Sequence, residues 1–432
     1  MSQIAPGHPR NVSALERARA GGRQRGLAWL DSSLTFLDRG KHSLVATAPS
    51  LEIKLMPDRV EISDENQATV KMPKDNFWPF MEKIWQDQAN LSIGHISYEA
   101  CLPFLGLKPV ASNASIPLAH FLVYSADKTT WDQHEVSSRV STGPGNRLGV
   151  SGEVRPTVAR IDYLQNVERI KKHIYEGDIY QANYTCRFEV SSTVDPFDTY
   201  LRLRETNPGP YCAYIDFGDY QVLSSSPERM FYRENDYITT GPIKGTTSRG
   251  TTADETRLNT ERLLNSTKDK SELLMIVDLE RNDLGRICQS GSVKVNSLYR
   301  PEEYANLIHL VSDVEGRLKP GTSWTDIFAA LIPGGSITGA PKKRAVEILQ
   351  GLEAGPRSVY TGVIGYVHGD RADFNIAIRT MTHRDGIYQV HAGGGIVADS
   401  DPASEYDEML LKAGGMMRAL GVDVQGEPWS RQ

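Results

Sequence analysis

The sequence predicts a mixed α/β (α+β) fold, a layered sandwich of mostly antiparallel sheets wrapped by helices. In the N-terminal third, short alternating runs such as residues 43–46 (SLVA) and 51–55 (LEIKL) predict strands with one solvated face. Beyond that third, strand-like and helical segments alternate irregularly, which is not typical of a doubly wound parallel sheet. These two observations together set the fold class.

Local patterns predict the individual elements. Tyr163, Val167, Ile170 and Ile174 recur at helical spacing, and Gly177 follows as a helix stop. The further predicted elements are, in chain order, strands at 180–190, 211–217, 220–224 and 230–240, a long helix at 253–288, a strand at 307–315, a helix at 341–349, a hairpin of 359–367 with 374–382, a strand at 387–392 and a helix at 404–420.

The length of 432 residues predicts roughly two to three domain-sized units. Residues 138–156 are rich in Gly, Ser and Pro and poor in apolar residues, so they are the best boundary candidate. We therefore divide the chain into an N-terminal part at 1–155, a main part at 156–420 and a tail at 421–432. The arginine-rich first ~25 residues are interpreted as a flexible terminal arm, with a transit peptide as the alternative.

Composition excludes several function classes. Hydrophobic residues are 39% and charged residues 24% of the chain, values typical of a globular protein. No apolar run approaches the roughly 20 residues that cross a bilayer, and a net charge of -6 does not favour a nucleic-acid partner. The four cysteines lie far apart and contain no CxxC pair, which predicts buried thiols of a reducing, cytoplasmic compartment: Cys101, Cys186, Cys212 and Cys288.

Acidic residues form the first candidate site. Glu405, Glu408 and Lys412 share one face of the predicted closing helix, and Asp269 and Glu272 repeat the i, i+3 spacing before a nearly apolar stretch. Two carboxylate pairs on separate helices could hold one Mg²⁺, a cation that prefers oxygen ligands. Solvated helix faces are the alternative interpretation of the same spacing.

Two glycine-rich segments form the second candidate site. Residues 333–342 (PGGSITGAPK) place a proline at the first turn of a predicted helix, where free backbone N–H groups can bind an anion. Residues 393–395 (GGG), at a predicted strand end, offer a second nest of donors. Neither segment matches a nucleotide-binding fingerprint, so a carboxylate ligand fits as well as a phosphate, and simple structural turns remain an alternative.

A lysine between a strand and a turn is the third signal. Lys244, in residues 239–246 (TTGPIKGT), would become a neutral nucleophile if burial lowered its pKa, although a solvated loop lysine has the same pattern. Glu228 and His309 are the other candidate proton handlers, and a single histidine in an apolar strand can equally be a core residue.

Taken together, these segments resemble the chorismate-utilising enzyme family, which includes anthranilate, aminodeoxychorismate, isochorismate and salicylate synthases. The resemblance covers residues 161–420 and implies the chorismate-utilising enzyme fold. It rests on eight blocks in sequence order: 177–183 (GDIYQAN), 225–229 (SSPER), 242–246 (PIKGT), 277–284 (VDLERNDL), 339–342 (GAPK), 360–366 (YTGVIGY), 377–380 (AIRT) and 393–398 (GGGIVA), the last followed by Glu405 and Glu408.

Two positions separate the members of this family. Members that add water to chorismate carry a lysine where this chain has Gln181, and anthranilate synthases carry alanine where it has Lys244. The chain is therefore most similar to the aminodeoxychorismate synthases, which convert chorismate and ammonia to 4-amino-4-deoxychorismate in para-aminobenzoate and folate synthesis. An anthranilate-type synthase with an idle Lys244 and a non-catalytic chorismate-binding subunit are the alternatives.

The resemblance also implies roles for individual residues. Lys244 would attack chorismate, with Glu228 as the general acid and His309 assisting. Mg²⁺ would be held by Glu272, Glu405, Glu408 and Asp269, and Tyr360 and Arg379 would bind the enolpyruvyl carboxylate. The full set of implied substrate-binding residues is Gln181, Thr246, Ser336, Thr338, Tyr360, Arg379, Gly393, Gly394, Gly395 and Lys412.

The N-terminal third matches the family less well. Relatives carry two stretches there that line a tryptophan pocket, and this chain has only partial counterparts at 29–33 (WLDSS) and 40–43 (GKHS), although 207–211 (NPGPY) does resemble the rest of that pocket. None of the cysteines lies in a glutaminase nucleophile motif. We therefore expect ammonia to come from a separate glutamine amidotransferase partner.

Overall fold

The computed structural model describes residues 14–21, 24–32, 42–109, 116–125, 129–133, 153–304, 307–422 and 424. Its strands, in chain order, are β1 (Ala28–Asp31), β2 (His42–Ala46), β3 (Leu51–Leu55), β4 (Arg59–Asp64), β5 (Thr69–Pro73), β6 (Asn90–Ile96), β7 (Ala119–Ser125), β8 (Thr130–Gln133), β9 (Val154–Pro156), β10 (Gln181–Ser191), β11 (Tyr211–Asp216), β12 (Gln221–Ser226), β13 (Arg229–Glu234), β14 (Tyr237–Gly241), β15 (Ile243–Ser248), β16 (Lys294–Glu303), β17 (Leu307–Arg317), β18 (Gly339–Ala340), β19 (Val363–His368), β20 (Arg371–Ile376), β21 (Thr380–Arg384) and β22 (Ile387–Ile396).

The helices are α1 (Ala14–Gly21), α2 (Phe77–Gln86), α3 (Tyr98–Cys101), α4 (Arg160–Tyr175), α5 (Pro196–Thr206), α6 (Ala253–Asn265), α7 (Thr267–Ile287), α8 (Trp324–Leu331), α9 (Lys342–Gln350) and α10 (Pro402–Ala419). None of these helices is long and apolar enough to cross a membrane, as far as the described ranges extend.

Two large antiparallel sheets organise these elements. The first sheet has the order β18-β10-β22-β21-β12-β11-β1-β2-β8, with β9 added beside β10. The second has the order β15-β17-β14-β13-β20-β19-β6-β7-β3-β4-β5, with β16 added beside β17. The predicted fold class, a sandwich of mostly antiparallel sheets with helices, is confirmed.

The sandwich has three apolar cores, one between the sheets and one under each helical layer. Between the sheets, Ala28 and Val222 of the first sheet pack with Ile93 and Ile364 of the second. On the outer face of the first sheet, the buried residues of α4, α5 and α10 complete one core. On the outer face of the second sheet, those of α2, α7 and α8 complete another. Helices therefore cover both outer faces of the paired sheets.

Strands from before and after residue 155 pair in both sheets. β1 pairs with β11 in the first sheet, and β6 pairs with β19 in the second. The N-terminal part and the main part thus share both sheets and do not each enclose a core of their own. The boundary segment predicted at 138–156 lies mostly outside the described residues, and its last three residues form β9, which pairs with β10.

Four predicted elements differ from the structure. The predicted strand at 374–382 is divided between β20, in the second sheet, and β21, in the first. The predicted helix at 253–288 is two helices, because the Ser266 hydroxyl accepts a hydrogen bond from Asp269 N and so caps the start of α7. The predicted strand at 230–240 is the hairpin of β13 and β14, with Asn235 in the left-handed region at φ 57°. Within the segment predicted as a flexible arm, residues 14–21 form α1; residues 1–13 lie outside the described ranges.

Candidate active site

A bulged strand presents Lys244 to the interior. β15 pairs with β17 so that Lys244 lies opposite Leu310 and Thr246 opposite His309, with the register shift at Gly245. Gly245 has φ +75°, and a Cβ there would lie 2.9 Å from Cβ of Asp269. Only glycine permits this backbone conformation and this close approach. The turn therefore brings the start of α7 against the lysine.

Lys244 is half-buried and lies among charged side chains. Burial lowers the pKa of its amine below the usual value, against the opposing effect of the Glu272 and Glu228 carboxylates. The residue as a whole keeps some accessible surface. A larger fraction of such an amine is neutral near pH 7 than for a solvated lysine. The nucleophilic role of Lys244 stays a prediction, and the lowered pKa of its amine is compatible with it.

His309 lies beside this lysine turn as a neutral ring. Its Nδ1 lies 2.8 Å from Oγ1 of Thr246, and the Tyr304 ring lies edge-on at a centroid distance of 5.0 Å. Burial, reinforced by the Arg379 cation, lowers the pKa of His309 to about 3. The ring can accordingly hydrogen-bond as a neutral imidazole, but it does not carry a positive charge at pH 7.

Glu228 is held rigidly between β12 and β13. Its N–H lies 3.3 Å from the Ser226 hydroxyl, and its carbonyl accepts a hydrogen bond of 3.0 Å from Ile376 N. The residue is buried, and its charge acts on both Lys244 and Arg379. The predicted general acid therefore lies within electrostatic reach of the predicted nucleophile.

The predicted metal-binding acids come from α7 and α10. Ser400 donates a hydrogen bond of 2.6 Å to Glu405 Oε1, and Lys412 lies 2.7 Å from Glu408 Oε1. Burial raises the pKa of Glu405, and the Glu408 charge adds to that rise. Burial also acts to raise the pKa of Glu408, but the Lys412, Lys268 and Lys244 cations together bring it below the usual value. Electrostatic coupling thus joins the two helices.

These acids fit a hard divalent cation, although they do not form one tight cluster. Among the described residues, the three ligand atoms that lie within 4.8 Å of one another belong to His173, Glu176 and Asp178, and Asp178 already bonds Arg344 at 3.0 Å. Mg²⁺ keeps several waters, so its protein ligands need not touch one another. Carboxylates of this region lie near Lys244, Lys268 and Lys412. A divalent cation would offset the negative charge of these carboxylates further.

The two glycine-rich segments lie on either side of Gln181. Gly393, Gly394 and Gly395 continue strand β22 opposite β10, so the nest predicted at a strand end is wrong: cross-strand pairing extends the strand through the glycines. A Cβ on Gly394 would lie 3.3 Å from Glu405 Oε2, and one on Gly395 would lie 2.8 Å from Gln181 Nε2. The glycines thus let α10 and Gln181 approach the strand from opposite faces.

Two side chains in this region have buried polar atoms without a protein hydrogen-bond partner in the described part of the chain. These atoms are both side-chain amide atoms of Gln181 and the hydroxyl of Ser336. Thr338 differs, because its hydroxyl donates to Gly334 O at 2.8 Å and so stabilises its own turn. Buried polar groups are nearly always bonded, so this pair marks a place that a polar ligand or water would complete.

Arg379 and Tyr360, the residues predicted to bind the enolpyruvyl carboxylate, are partly buried and buried, respectively. Burial lowers the pKa of Arg379, while the Tyr304 phenol and the Glu228 carboxylate act in the opposite direction. Burial raises the pKa of Tyr360 above its usual value, so its phenol stays protonated. A partly buried arginine that forms no ion pair among the described residues is a candidate for binding an anionic ligand.

Two buried groups near the site were missed by sequence reasoning. The Glu280 carboxyl accepts a hydrogen bond of 2.5 Å from Thr240, and burial raises its pKa to about 8. Asp283 forms a buried ion pair with Lys342. The spacing of the acids along the sequence could have indicated both, because Glu272, Glu280 and Asp283 fall on one side of α7. A buried arginine, Arg357, was also missed and is considered below.

A separate cavity of about 340 Å³ lies between the two sheets. We call it the inter-sheet cavity; its charged and aromatic lining consists of Asp31, Tyr211, Arg229, Tyr232, Tyr237, Tyr366, Arg371 and Asp373. The stretches at 29–32 and 207–211 meet beside it, where the Ser32 hydroxyl donates to Pro210 O at 3.0 Å. The part of 40–43 that precedes His42 lies outside the described residues.

The family model for chorismate binding enzymes matches residues 35–418. Because the match covers most of the chain, this protein belongs to the chorismate binding enzymes. The resemblance inferred from eight short blocks is confirmed at that level, and the matched range extends into the N-terminal part that those blocks did not include.

Two relatives show which members of the family have sequences similar to this chain. Aminodeoxychorismate synthase component 1 of Bacillus subtilis (strain 168) is 43% identical over 264 residues, which are 61% of this chain and 56% of that protein. Anthranilate synthase component 1 1 of Haloarcula marismortui is 44% identical over 263 residues, 60% of this chain and 54% of that protein. The matched stretch thus spans little more than half of either relative, and the two enzymes are equally similar to the chain.

A solved structure supports the fold. The crystal structure of anthranilate synthase component I from Streptococcus pneumoniae TIGR4 superposes with a TM-score of 0.74 at 29% identity, covering 95% of this chain and 100% of that one. The architecture of two antiparallel sheets with outer helices is therefore that of the family.

Proposed function

We propose that this chain is an aminodeoxychorismate synthase, which converts chorismate and ammonia to 4-amino-4-deoxychorismate in the cytoplasm. The reaction would supply the para-aminobenzoate branch of folate synthesis. The observation that carries the proposal is Lys244, whose amine has a pKa lowered by burial and lies within electrostatic reach of Glu228. A neutral amine at this point can act as a nucleophile and form a covalent intermediate.

The proposed first step uses both residues. The Lys244 amine attacks C2 of chorismate and loses one proton, the two ring double bonds shift, and the C4 hydroxyl leaves as water with a proton from Glu228. Ammonia then adds at C4, the double bonds shift back, and Lys244 leaves C2 as a neutral amine by taking the proton that ammonia loses. The new nitrogen is therefore para to the ring carboxylate.

The remaining residues bind and orient the substrate in this proposal. Arg379 and Tyr360 would bind the enolpyruvyl carboxylate, and Gln181 and Ser336 would contribute hydrogen bonds that they lack without a ligand. Thr246 and Lys412 would hold the substrate near Lys244. His309, neutral at pH 7, would act through hydrogen bonding and not as a cation.

The acids of α7 and α10 would hold the metal in the proposed site: Asp269, Glu272, Glu405 and Glu408. When bound, Mg²⁺ would offset the charge of the ring carboxylate and make C2 more electrophilic. The surrounding lysines, Lys268 and Lys412, already compensate part of the negative charge of this region.

An anthranilate synthase is the second candidate, and the equal similarity of both kinds of relatives favours it. In that reaction ammonia would attack C2 directly, and Lys244 would have no covalent role. Ammonia itself would come from a separate glutamine amidotransferase subunit in either case. The names of the two relatives, each of which is called a component 1, support a multi-component enzyme.

A product assay tests the proposal. Purified protein is given chorismate, Mg²⁺ and an ammonium salt, and the products are separated and weighed by mass spectrometry. We expect a para-amino product that keeps its enolpyruvyl ether, and we expect Lys244→Ala to abolish it. The control is Lys172→Ala, which removes an exposed lysine of α4 and should leave turnover unchanged.

A second measurement separates a covalent lysine from an idle one. With ammonia withheld, intact-protein mass spectrometry should show an adduct equal to chorismate less one water, which Lys244→Ala does not form. Fluorescent anthranilate from the wild type, with full activity in Lys244→Ala, would contradict the proposal and establish the second candidate.

A further inference from the structure

Arg357 is a fully enclosed cation at the centre of the predicted substrate-binding segments. It is 2% exposed. Its Nη1 donates to Ile337 O at 2.8 Å and its Nη2 to Asn183 O at 2.6 Å. The same guanidinium bonds the Glu353 carboxylate through Nε at 2.9 Å and Nη2 at 2.7 Å. A planar fork of five donors can satisfy such divergent acceptors at once, and an ammonium cannot.

The segments that Arg357 joins are those that carry the predicted ligands of chorismate. Ile337 follows Ser336, and Asn183 lies two residues after Gln181 on β10. On a third side, Nη1 of Arg357 lies 3.3 Å from Oγ1 of Thr361, the residue after Tyr360. One side chain thus fixes the relative positions of three segments that are far apart in sequence.

The turn that carries Tyr360 needs this support. Ser358 and Thr361 both have positive φ, at 57° and 60°. A non-glycine residue in this region is strained, and the strain persists only where the surroundings hold it. Arg357 bonds the hydroxyl of Thr361, so its removal would allow the turn to relax.

The N-terminal part of the chain supports the same turn from the other side. The Glu99 carboxylate accepts hydrogen bonds from the backbone N–H groups of Arg357 at 2.7 Å and Ser358 at 3.0 Å. Tyr98 N donates to Ser358 O at 2.9 Å, and the Tyr98 ring lies 4.5 Å from the Arg357 guanidinium. This cation–π contact and the Glu99 bonds hold the backbone and side chain of Arg357 together.

We propose that Arg357 is a positioning residue for the chorismate site: it sets the mutual geometry of the Ser336 turn, the Gln181 strand and the Tyr360 turn, with Glu99 as its support. The proposal deepens the proposed function and rests on chorismate as the substrate. It predicts a specific pattern, because Arg357 bonds the substrate-binding segments but none of the predicted metal-binding acids.

The experiment is a comparison of two arginine-to-lysine variants. In Arg357→Lys the charge stays but the fork is lost. Arg233→Lys is the matched control, because Arg233 is also buried, lies 4.2 Å from the Trp324 ring and bonds a main-chain carbonyl and a carboxylate, in the β13–β14 hairpin. Chorismate affinity is measured by calorimetry in the presence of Mg²⁺ and the absence of ammonia. Steady-state assays then give KM, kcat and the Mg²⁺ concentration for half-maximal turnover.

The expected result separates positioning from stability. Arg357→Lys should weaken chorismate affinity and raise KM by roughly 10- to 100-fold, because misplaced binding groups cost that much. Half-saturation by Mg²⁺ should change by no more than about twofold, since the acids are independent of Arg357. Arg233→Lys should keep the wild-type KM even if it unfolds at a lower temperature.

A second variant tests the proposal even if Arg357→Lys fails to fold. Glu99→Gln keeps the size of the side chain and one acceptor, and it should raise KM by about fivefold because one of two N–H groups loses its partner. Wild-type chorismate affinity in both variants would overturn the positioning role alone. A wild-type protein that binds no chorismate would overturn the proposed function as well, whereas anthranilate as the product would leave the Arg357 result intact.

Discussion

The candidate active site and the inter-sheet cavity meet at adjacent residues, yet two buried polar side chains of the site lack the protein partners that the ion pairs of the cavity have. Glu228 belongs to the site and Arg229 lines the cavity. In the cavity, Asp373 binds Arg229 through two bonds of 3.0 Å, and Asp31 binds Arg204 at 2.6 Å. In the site, the Gln181 amide and the Ser336 hydroxyl are buried without such protein partners among the described residues.

The difference distinguishes polar groups that stabilise the fold from those that serve a ligand. A satisfied buried ion pair holds neighbouring strands together, and its loss is costly because one charge is left behind. An unsatisfied buried group costs stability and is explained by what it binds. Changes in the site should therefore act mainly on activity, and changes in the cavity mainly on stability.

The largest effect should come from removing the metal from the site. In excess chelator we expect turnover to fall about 100-fold or more, because Lewis-acid stabilisation of a transition state is worth several kcal/mol. The melting temperature should change little, since neither the cavity nor the apolar cores depend on the ion. Re-addition of Mg²⁺ is the control and should restore the rate. Unchanged turnover in excess chelator would contradict the metal role of Glu272, Glu405 and Glu408.

Sequence reasoning located the fold best where the signal was local. Tyr163, Val167 and Ile170 are buried on α4, as their spacing predicts, and Gly177 follows the helix with positive φ. The conformation of the glycines at 393–395 was predicted wrongly because it depends on pairing with β10, a strand that lies far from them in the sequence. Nothing within the three residues records that partner.

The same limit applies to the site. Short blocks led to the prediction of Lys244, Glu228 and the acids because the family resemblance resides in those side chains. Arg357 was missed because two of its strongest bonds go to main-chain carbonyls, of Asn183 and Ile337, which any residue would supply. A positioning residue of this kind has no sequence pattern of its own, and only the assembled fold shows it.

The next largest effect should be one of stability, from the cavity. Asp31→Asn should lower the free energy of unfolding by roughly 2 to 4 kcal/mol, because the partly buried Arg204 loses its carboxylate partner. The control is Asp236→Asn, whose partner Arg317 is more than half exposed; it should cost no more than about 0.5 kcal/mol. Denaturant unfolding measures both. Loss of turnover per folded molecule, without a shift in stability, would contradict the assignment of this pair to the fold.

The variant with the smallest expected effect tests most directly the difference between the candidate active site and the inter-sheet cavity. Gln181→Leu replaces an amide that lacks protein partners with an apolar side chain of similar size, so we expect the free energy of unfolding to rise by about 1 kcal/mol. Chorismate affinity should fall at the same time, because the lost amide no longer bonds the substrate. Denaturant unfolding and calorimetric titration measure the two changes.

Asn166→Leu is the matched control for that variant. The Asn166 amide is buried too, but it donates to the Tyr184 hydroxyl at 2.7 Å. Its replacement should lower the free energy of unfolding by about 1 to 3 kcal/mol and leave chorismate affinity unchanged, because the partner loses its bond. If Gln181→Leu destabilised the protein as much as Asn166→Leu does, Gln181 would serve the fold, and the distinction between the two regions would fail at that residue.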